Sequence, residues 1–343
     1  MRLQTTPLVL EYPRNGRDPS GRVLKMTTNC YWTNESVIND EGFSLIFAHC
    51  IGAHKEQWEP VIEQTFRTQQ SKPKHHRVRE AWAFDWQNHG DAALLNRDLL
   101  VNNRAYGVSA YEWGAAIASF VRSPRMQGRH IVAIGHSAGA GAMLVALKTI
   151  ALPNIPYVSL VLVEPTMASP AMFYRHIADS VTAVVAATMM RRERWRSRDD
   201  AFAWLARRAP WKRWDKRVLR SFIEHGLVDT PDGDVTLKCD RRQEASAFPD
   251  VHPHFSAVNE LTRICRDVPT HIVWASRSEL VPRIVQDSLS DASEGRHVAS
   301  ITRLEGGHMI VQEAPDRIAS AICSVLDAAA ARVGVDCRAR SRL

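Results

Sequence analysis

One stretch narrows the choice of fold more than any other. His130-Ile131-Val132-Ala133-Ile134 is a short apolar run that passes directly into Gly135-His136-Ser137-Ala138-Gly139 and then into the small residues Ala140-Gly141-Ala142. A G-x-S-x-G pentapeptide is common by chance, but between a strand and a helix it stands in the context that its mechanics require. The serine occupies a strained turn that lifts its hydroxyl above the end of the strand. Its flanking residues must be small, because a Cβ there would strike a neighbouring strand or helix. The N–H that follows, on Ala138, then points to where an oxyanion would form.

The rest of the chain repeats the rhythm of short apolar run and longer helical segment, which argues for a mostly parallel, doubly wound α/β sheet covered on both faces. Expected strands are 8–12, 23–32, 43–48, 81–86, 130–135, 158–164, 271–275 and 298–304. Helical spacing appears over 58–68, 111–121, 138–150, 281–289 and 315–331, where Pro315 suits a first turn. Between about Pro165 and Arg266 the alternation stops. That interval is helical in pattern and rich in Trp and Arg, with a turn at Thr230-Pro231-Asp232-Gly233-Asp234 and a short hairpin strand after it. It reads as a helical cap, 166–266, inserted after strand six into a core made of 1–165 and 267–335. The 343 residues are ample for one large domain with such an insertion.

The net charge of +7 is concentrated in that cap, where residues 191–220 hold twelve Arg or Lys against four Asp or Glu and leave the remainder near neutrality. Trp195, Trp204, Trp211 and Trp214 stand among these arginines and are the candidate substrate contacts of the cap. They suit an anionic substrate with an apolar tail or a membrane surface, or simply the buried side of solvated helices. No nucleic-acid-reading motif accompanies the charge, so nucleic acid is not an expected partner.

A serine hydroxyl needs a base. Among fourteen histidines, His308 in Leu304-Glu305-Gly306-Gly307-His308 is placed for this, on a loop after the last strand and before the last helix. Five segments taken in order, Ala48-His49-Cys50-Ile51-Gly52, Asp85-Trp86-Gln87-Asn88-His89-Gly90-Asp91, the serine pentapeptide, Leu162-Val163-Glu164-Pro165 and Gly306-Gly307-His308-Met309, resemble signature loops of the α/β-hydrolase superfamily. The run His49–Pro60, the Asn88-His89-Gly90-Asp91 loop and the C-terminal tripeptide are similar, more narrowly, to fungal peroxisomal lipase-like hydrolases of the host-selective-toxin biosynthesis branch. The resemblance implies that the loop at His49 supplies a second oxyanion donor, the N–H of Ile51, beside that of Ala138. It also implies that Cys50 stands where the family usually has glycine, as a small buried hydrophobe, and that His49, His89 and Asp91 are structural.

The third catalytic residue departs from the family pattern. An aspartate is usual after strand seven, and here Ala275-Ser276-Arg277-Ser278-Glu279-Leu280-Val281-Pro282 puts Ser278 in its place. Glu164, at the end of a buried strand six, and Glu279, one residue late, are the two carboxylates that could orient His308, and the chain order serine, acid, histidine is kept by either. A buried carboxylate is costly unless paired, which favours Glu164. The expected activity is a serine hydrolase cleaving an ester or thioester of an acyl lipid or acyl-CoA type through an acyl-enzyme. The alternatives are an acyltransferase on the same triad and a non-catalytic homologue that holds an acyl ligand.

No cofactor is expected. The six cysteines have no zinc spacing, and His252 and His254 lack a third ligand, so neither a disulfide framework nor a metal is expected. No apolar run is long enough to span a bilayer, and the N-terminal residues, broken by prolines, do not resemble a secretory signal. The chain ends Ser341-Arg342-Leu343, a variant of the S-K-L peroxisomal address, on a stretch expected to be a flexible tail over 336–343. The expected partner is the import receptor, and the expected location is the peroxisome, with the cytoplasm as the alternative.

Overall fold

The computed structural model describes residues 3–11, 23–103 and 106–340. Eight strands form one sheet: β1 (Gln4–Glu11), β2 (Lys25–Trp32), β3 (Phe43–Ala48), β4 (Val78–Phe84), β5 (His130–His136), β6 (Tyr157–Val163), β10 (Thr270–Ala275) and β11 (Ser300–Leu304). Their order is β1-β2-β4-β3-β5-β6-β10-β11. The β1–β2 and β2–β4 pairs are antiparallel and all the others parallel. The strands β3 to β6 and β10 are buried along nearly their whole length. That is why they read as continuous apolar runs, without the alternation of a half-solvated strand.

Helices cover both faces. On one, α1 (Glu59–Gln69) and α14 (Pro315–Arg340) bury Val61, Ile62, Phe66, Ile318, Ile322 and Leu326 against Phe47, Val132, Val161 and Val273. On the other, α4 (Ala110–Val121) and α5 (Ala138–Val145) pack on Ile46, Ala133 and Leu162. The helix α4 begins at Ser109 with a reciprocal capping box to Glu112. Two short helices, α2 (Gly90–Leu95) and α3 (Arg97–Asn103), follow β4.

The interval after β6 holds α6 (Pro170–His176), α7 (Ala178–Met190), α8 (Arg198–Leu205), α9 (Lys216–His225), α10 (Arg241–Ala247) and α11 (His252–Ile264). It also holds three short strands, β7 (Arg194–Trp195), β8 (Leu227–Asp229) and β9 (Val235–Leu237), paired in a sheet of their own in the order β7-β9-β8. Sequence pattern anticipated only one of these strands, since pieces of two or three residues carry too little periodicity to be seen. The helix α11 does not stand off from the sheet: its Ala257, Val258, Leu261 and Ile264 share the core with α5.

Two further short helices, α12 (Arg283–Ser288) and α13 (Ile310–Glu313), complete the fold. The last helix continues past Val335, where the apolar pattern weakens, to Arg340. The tripeptide Ser341–Leu343 lies outside the described residues. No helix among the described residues is long and apolar enough to cross a membrane.

Candidate active site

The strand β5 enters α5 through Ser137, whose backbone sits at φ 54° and ψ −117°. A non-glycine residue in the left-handed half of the map is strained, and here the surroundings enforce it. The Ser137 N–H bonds the Val163 carbonyl at 2.9 Å, which ties the turn to the neighbouring strand. The close approach is visible on either side of the serine. A Cβ on Gly135 would meet the backbone of Ala140, and one on Gly139 would drive into the carbonyl of Ala48. Ser137 is 5% exposed, with its hydroxyl at the floor of a cavity between the sheet and the cap.

His308 arrives on the loop after β11. Its Nε2 lies 3.0 Å from Ser137 Oγ and its Nδ1 3.1 Å from Glu164 Oε2. The network sets the tautomer: Nδ1–H donates to the carboxylate, and Nε2 accepts from the serine hydroxyl. Glu164 is the residue after β6, is 1% exposed, and adopts φ 45°, a second strained non-glycine position. Its other oxygen, Oε1, accepts the Ala275 N–H at 2.6 Å, and its own N–H bonds the Val273 carbonyl at 2.8 Å. The buried carboxylate is thus held from both sides, which offsets its desolvation.

Glu279, the other candidate acid, touches the same loop differently. Its Oε2 accepts the backbone N–H of His308 at 3.3 Å, and its Oε1 bonds Arg213 at 2.7 Å and Arg277 at 3.1 Å. Burial would raise its pKa, but the two guanidiniums and the His308 N–H hold it below the usual carboxylate range. Ser278 accepts from Gln286 Nε2 at 3.1 Å.

The segment after β3 runs beside the serine turn, where a Cβ on Gly139 would meet the carbonyls of Ala48 and His49. The Nδ1 of His49 donates to the Cys50 carbonyl at 2.7 Å and its Nε2 accepts the Trp86 N–H at 3.1 Å, a pattern that a neutral imidazole satisfies. Burial drives its pKa down to about 4. His89 accepts the Gly52 N–H at 3.1 Å, and its ring stacks on Trp86, which stacks on Trp113. These contacts set the path of Ile51, which lines the same cavity as Ser137. Cys50 is buried, and burial raises its thiol to about 12, out of range for a nucleophile. The N–H of Ala138 is one of the first in α5, where helix geometry leaves such groups without internal acceptors.

Two contributors are invisible in the sequence. His136, the second residue of the pentapeptide, is fully buried and donates from Nε2 to the His308 carbonyl at 2.8 Å. Lys55, 1% exposed, bonds Glu56 at 2.7 Å, Asp85 at 2.9 Å and Asp91 at 2.7 Å, joining the segment after β3 to the one after β4. Nothing in composition or spacing marks either residue, since each acts through partners distant in the chain.

The cavity over Ser137 measures about 560 Å³ and is lined by Ile51, Val184, Thr188, Trp211, Trp214, Phe248, Leu280 and His308. The ion pair of Arg191 and Glu244, 2.8 Å apart, forms part of its wall. A second, narrow lobe of about 50 Å³ also opens on Ser137 and Ile51 and runs between α7 and α11. Of the four cap tryptophans, Trp211 and Trp214 reach the cavity. Trp195 and Trp204 instead pack with them in a small core within the cap. The local excess of cations is partly neutralised by pairing. Arg194, Arg198, Arg213 and Arg217 bond Asp232 and Asp234, Asp229, Glu279 and Asp316 respectively. Among the described residues no group of three or more His, Cys, Asp or Glu could hold a metal ion. The cysteines Cys30, Cys50, Cys239, Cys265 and Cys323 are free thiols.

The structure is similar to that of the peroxisomal alpha-beta-hydrolase Lpx1 of Saccharomyces cerevisiae, with a TM-score of 0.76 at 16% identity, covering 95% of this chain and 89% of that one. It is also similar to a thioesterase domain from the curacin biosynthetic pathway, with a TM-score of 0.63 at 14% identity over 94% of this chain and 99% of that one. An esterase of Mycobacterium tuberculosis gives a TM-score of 0.62 at 18% identity over 94% and 92% of the two chains. No curated protein sequence matches the chain. The sequence model of the alpha/beta hydrolase family matches residues 45–321, which include the serine turn, the strained glutamate and the histidine loop, and the chain belongs to that family.

Proposed function

We propose that this chain is a serine hydrolase that cleaves an ester or thioester with Ser137 as nucleophile, His308 as base and Glu164 as the acid that orients the imidazole. The observation that carries the reading is the continuous relay of 3.0 Å and 3.1 Å from hydroxyl to imidazole to buried carboxylate. In the reaction, Nε2 of His308 takes the hydroxyl proton as Ser137 Oγ attacks the carbonyl carbon. The oxyanion is received by the N–H groups of Ala138 and Ile51, each worth about 3 kcal/mol in such a site. Collapse expels the alcohol or thiol, protonated by the imidazolium. Water, deprotonated by the same histidine, then attacks the acyl-enzyme and frees the acid and the serine.

A fluorophosphonate probe tests this without any variant. The folded wild type is expected to take one label per chain, on the peptide that contains Ser137. A folded chain that takes no label, or takes it elsewhere, removes the nucleophile from the proposal.

The apolar residues that line both lobes support an acyl substrate, and the named esterase and thioesterase folds support the same reaction class. We also propose peroxisomal delivery by an import receptor that reads Ser341-Arg342-Leu343, supported by that tripeptide and by the peroxisomal hydrolase of similar structure. A fluorescent reporter carrying the last ten residues is expected to collect in peroxisomes and to stay in the cytosol when Leu343 is deleted. Cytosolic signal in both would remove the delivery claim.

A further inference from the structure

The narrow lobe contains a group for which the relay has no use. His254, in the first turn of α11, is 9% exposed and lines the lobe that opens on Ser137. Its Nδ1 is buried with no hydrogen-bond partner among the described residues. Burial lowers its pKa more than the nearby Asp250 raises it, so the ring is neutral, with one nitrogen to donate and one to accept. The walls around it, Phe173, Ile177, Val181, Phe248 and Leu280, are apolar. A plain hydrocarbon chain in this lobe would leave Nδ1 unpaired, and unpaired buried polar groups in native proteins call for an explanation.

We propose that the acyl group this site accepts carries a hydrogen-bonding oxygen, a keto or hydroxyl group, part way along its chain, and that His254 is the residue that selects it. The inference rests on Ser137 being the nucleophile. Depth follows from the helix both residues border. The His254 Nδ1 lies 3.8 Å from where a Cβ of Gly141 would stand. Gly141 is four residues beyond Ser137, about 6 Å along the axis of α5. An extended chain advances roughly 1.2 Å per bond, which places the oxygen about five bonds from the carbonyl carbon under attack. A lobe of about 50 Å³ suits a short acyl chain better than a long one. The substrate class is therefore a short oxygenated acyl ester or thioester, with the larger leaving group in the wide cavity beside Trp211 and Arg191.

The p-nitrophenyl esters of hexanoate, 4-oxohexanoate and 5-oxohexanoate provide the test. For the wild type, kcat/KM on the 5-oxo ester is expected to exceed that on plain hexanoate about tenfold, the net worth of one hydrogen bond. The ratio should fall to about one in His254→Leu and survive in part in His254→Gln, which keeps a donor and an acceptor. A wild type that hydrolyses all three esters alike overturns the proposal, and so does a preference that persists in His254→Leu. The wild-type series stands even if a variant fails to fold. If folded wild type hydrolyses none of the esters and takes no fluorophosphonate, the nucleophile itself is wrong and this proposal goes with it. Labelling together with an indifferent ester series condemns the selection by His254 alone.

Discussion

Glu164→Gln is expected to lower kcat on a p-nitrophenyl ester by about 10⁴ while leaving the fold and the fluorophosphonate target in place. The glutamine matches the carboxylate in shape and can still accept the Ala275 N–H, so the φ 45° turn keeps its anchor. What changes is the group 3.1 Å from His308 Nδ1. A carboxylate accepts Nδ1–H and stabilises the imidazolium that forms when the serine loses its proton. An amide has no charge to offer and, with its NH₂ turned to the ring, favours the wrong tautomer, the change that costs about 10⁴ in serine proteases. Glu279 meets the His308 loop only through the backbone N–H of His308, its other partners being Arg213 and Arg277, and Glu279→Gln is expected to cost less than about tenfold, because none of these charge-assisted contacts touches the imidazole. Steady-state kinetics on the two variants separate the carboxylates, and full activity in Glu164→Gln would take it out of the relay.

Lys55→Met is expected to destabilise the fold by about 3–5 kcal/mol, measured by urea unfolding near pH 7. The ammonium is buried and meets three carboxylates, those of Asp85, Glu56 and Asp91. Burial alone would lower its pKa, but these neighbours raise it, so it is charged at all ordinary pH. Methionine fills the same space and leaves Asp85 and Glu56 buried with their negative charges no longer offset by the lysine. Asp91 keeps its 2.6 Å bond to Lys238, so the damage centres on the other two.

The pH dependence has a definite sign. In the wild type, burial would raise the pKa of Glu56, yet hydrogen bonding and charge from His54 and Lys55 hold it below its ordinary 4.5. The native state therefore binds fewer protons there than the unfolded chain does. The stability this contributes is present above pH 4.5 and is lost as pH falls. Without Lys55 the carboxylates lose the cation that favours ionisation, so the deficit of the variant should narrow toward acid. A deficit that stays constant from neutral pH down to pH 4 would show that lost packing, rather than unpaired charge, sets the cost. Because the same network ties the segments after β3 and β4 together, the variant is also expected to lose esterase activity through Ile51.

Local features made much of this legible. The serine turn could be read from five residues because backbone sterics demand small neighbours at that site, and a Cβ on Gly139 would indeed meet Ala48. The buried strands showed as apolar runs because both faces of the sheet are covered. His308 was distinguishable from the other histidines by its place after the last strand. The small sheet of the cap was less legible, since strands as short as Arg194–Trp195 owe their shape to partners about forty residues away.

The amino-acid order alone determined most of the strands, the serine turn and the histidine loop, each of which shows in residues adjacent in the chain. Only the folded chain decided that the Glu164 side chain reaches the imidazole while Glu279 bonds the loop backbone. It alone likewise decided that His136 holds the loop of His308, that Lys55 lies among three acids, and that His254 faces the serine across a narrow lobe. Those outcomes are distances between residues up to 172 positions apart, and a distance of that kind is set by how layers pack rather than by any local pattern.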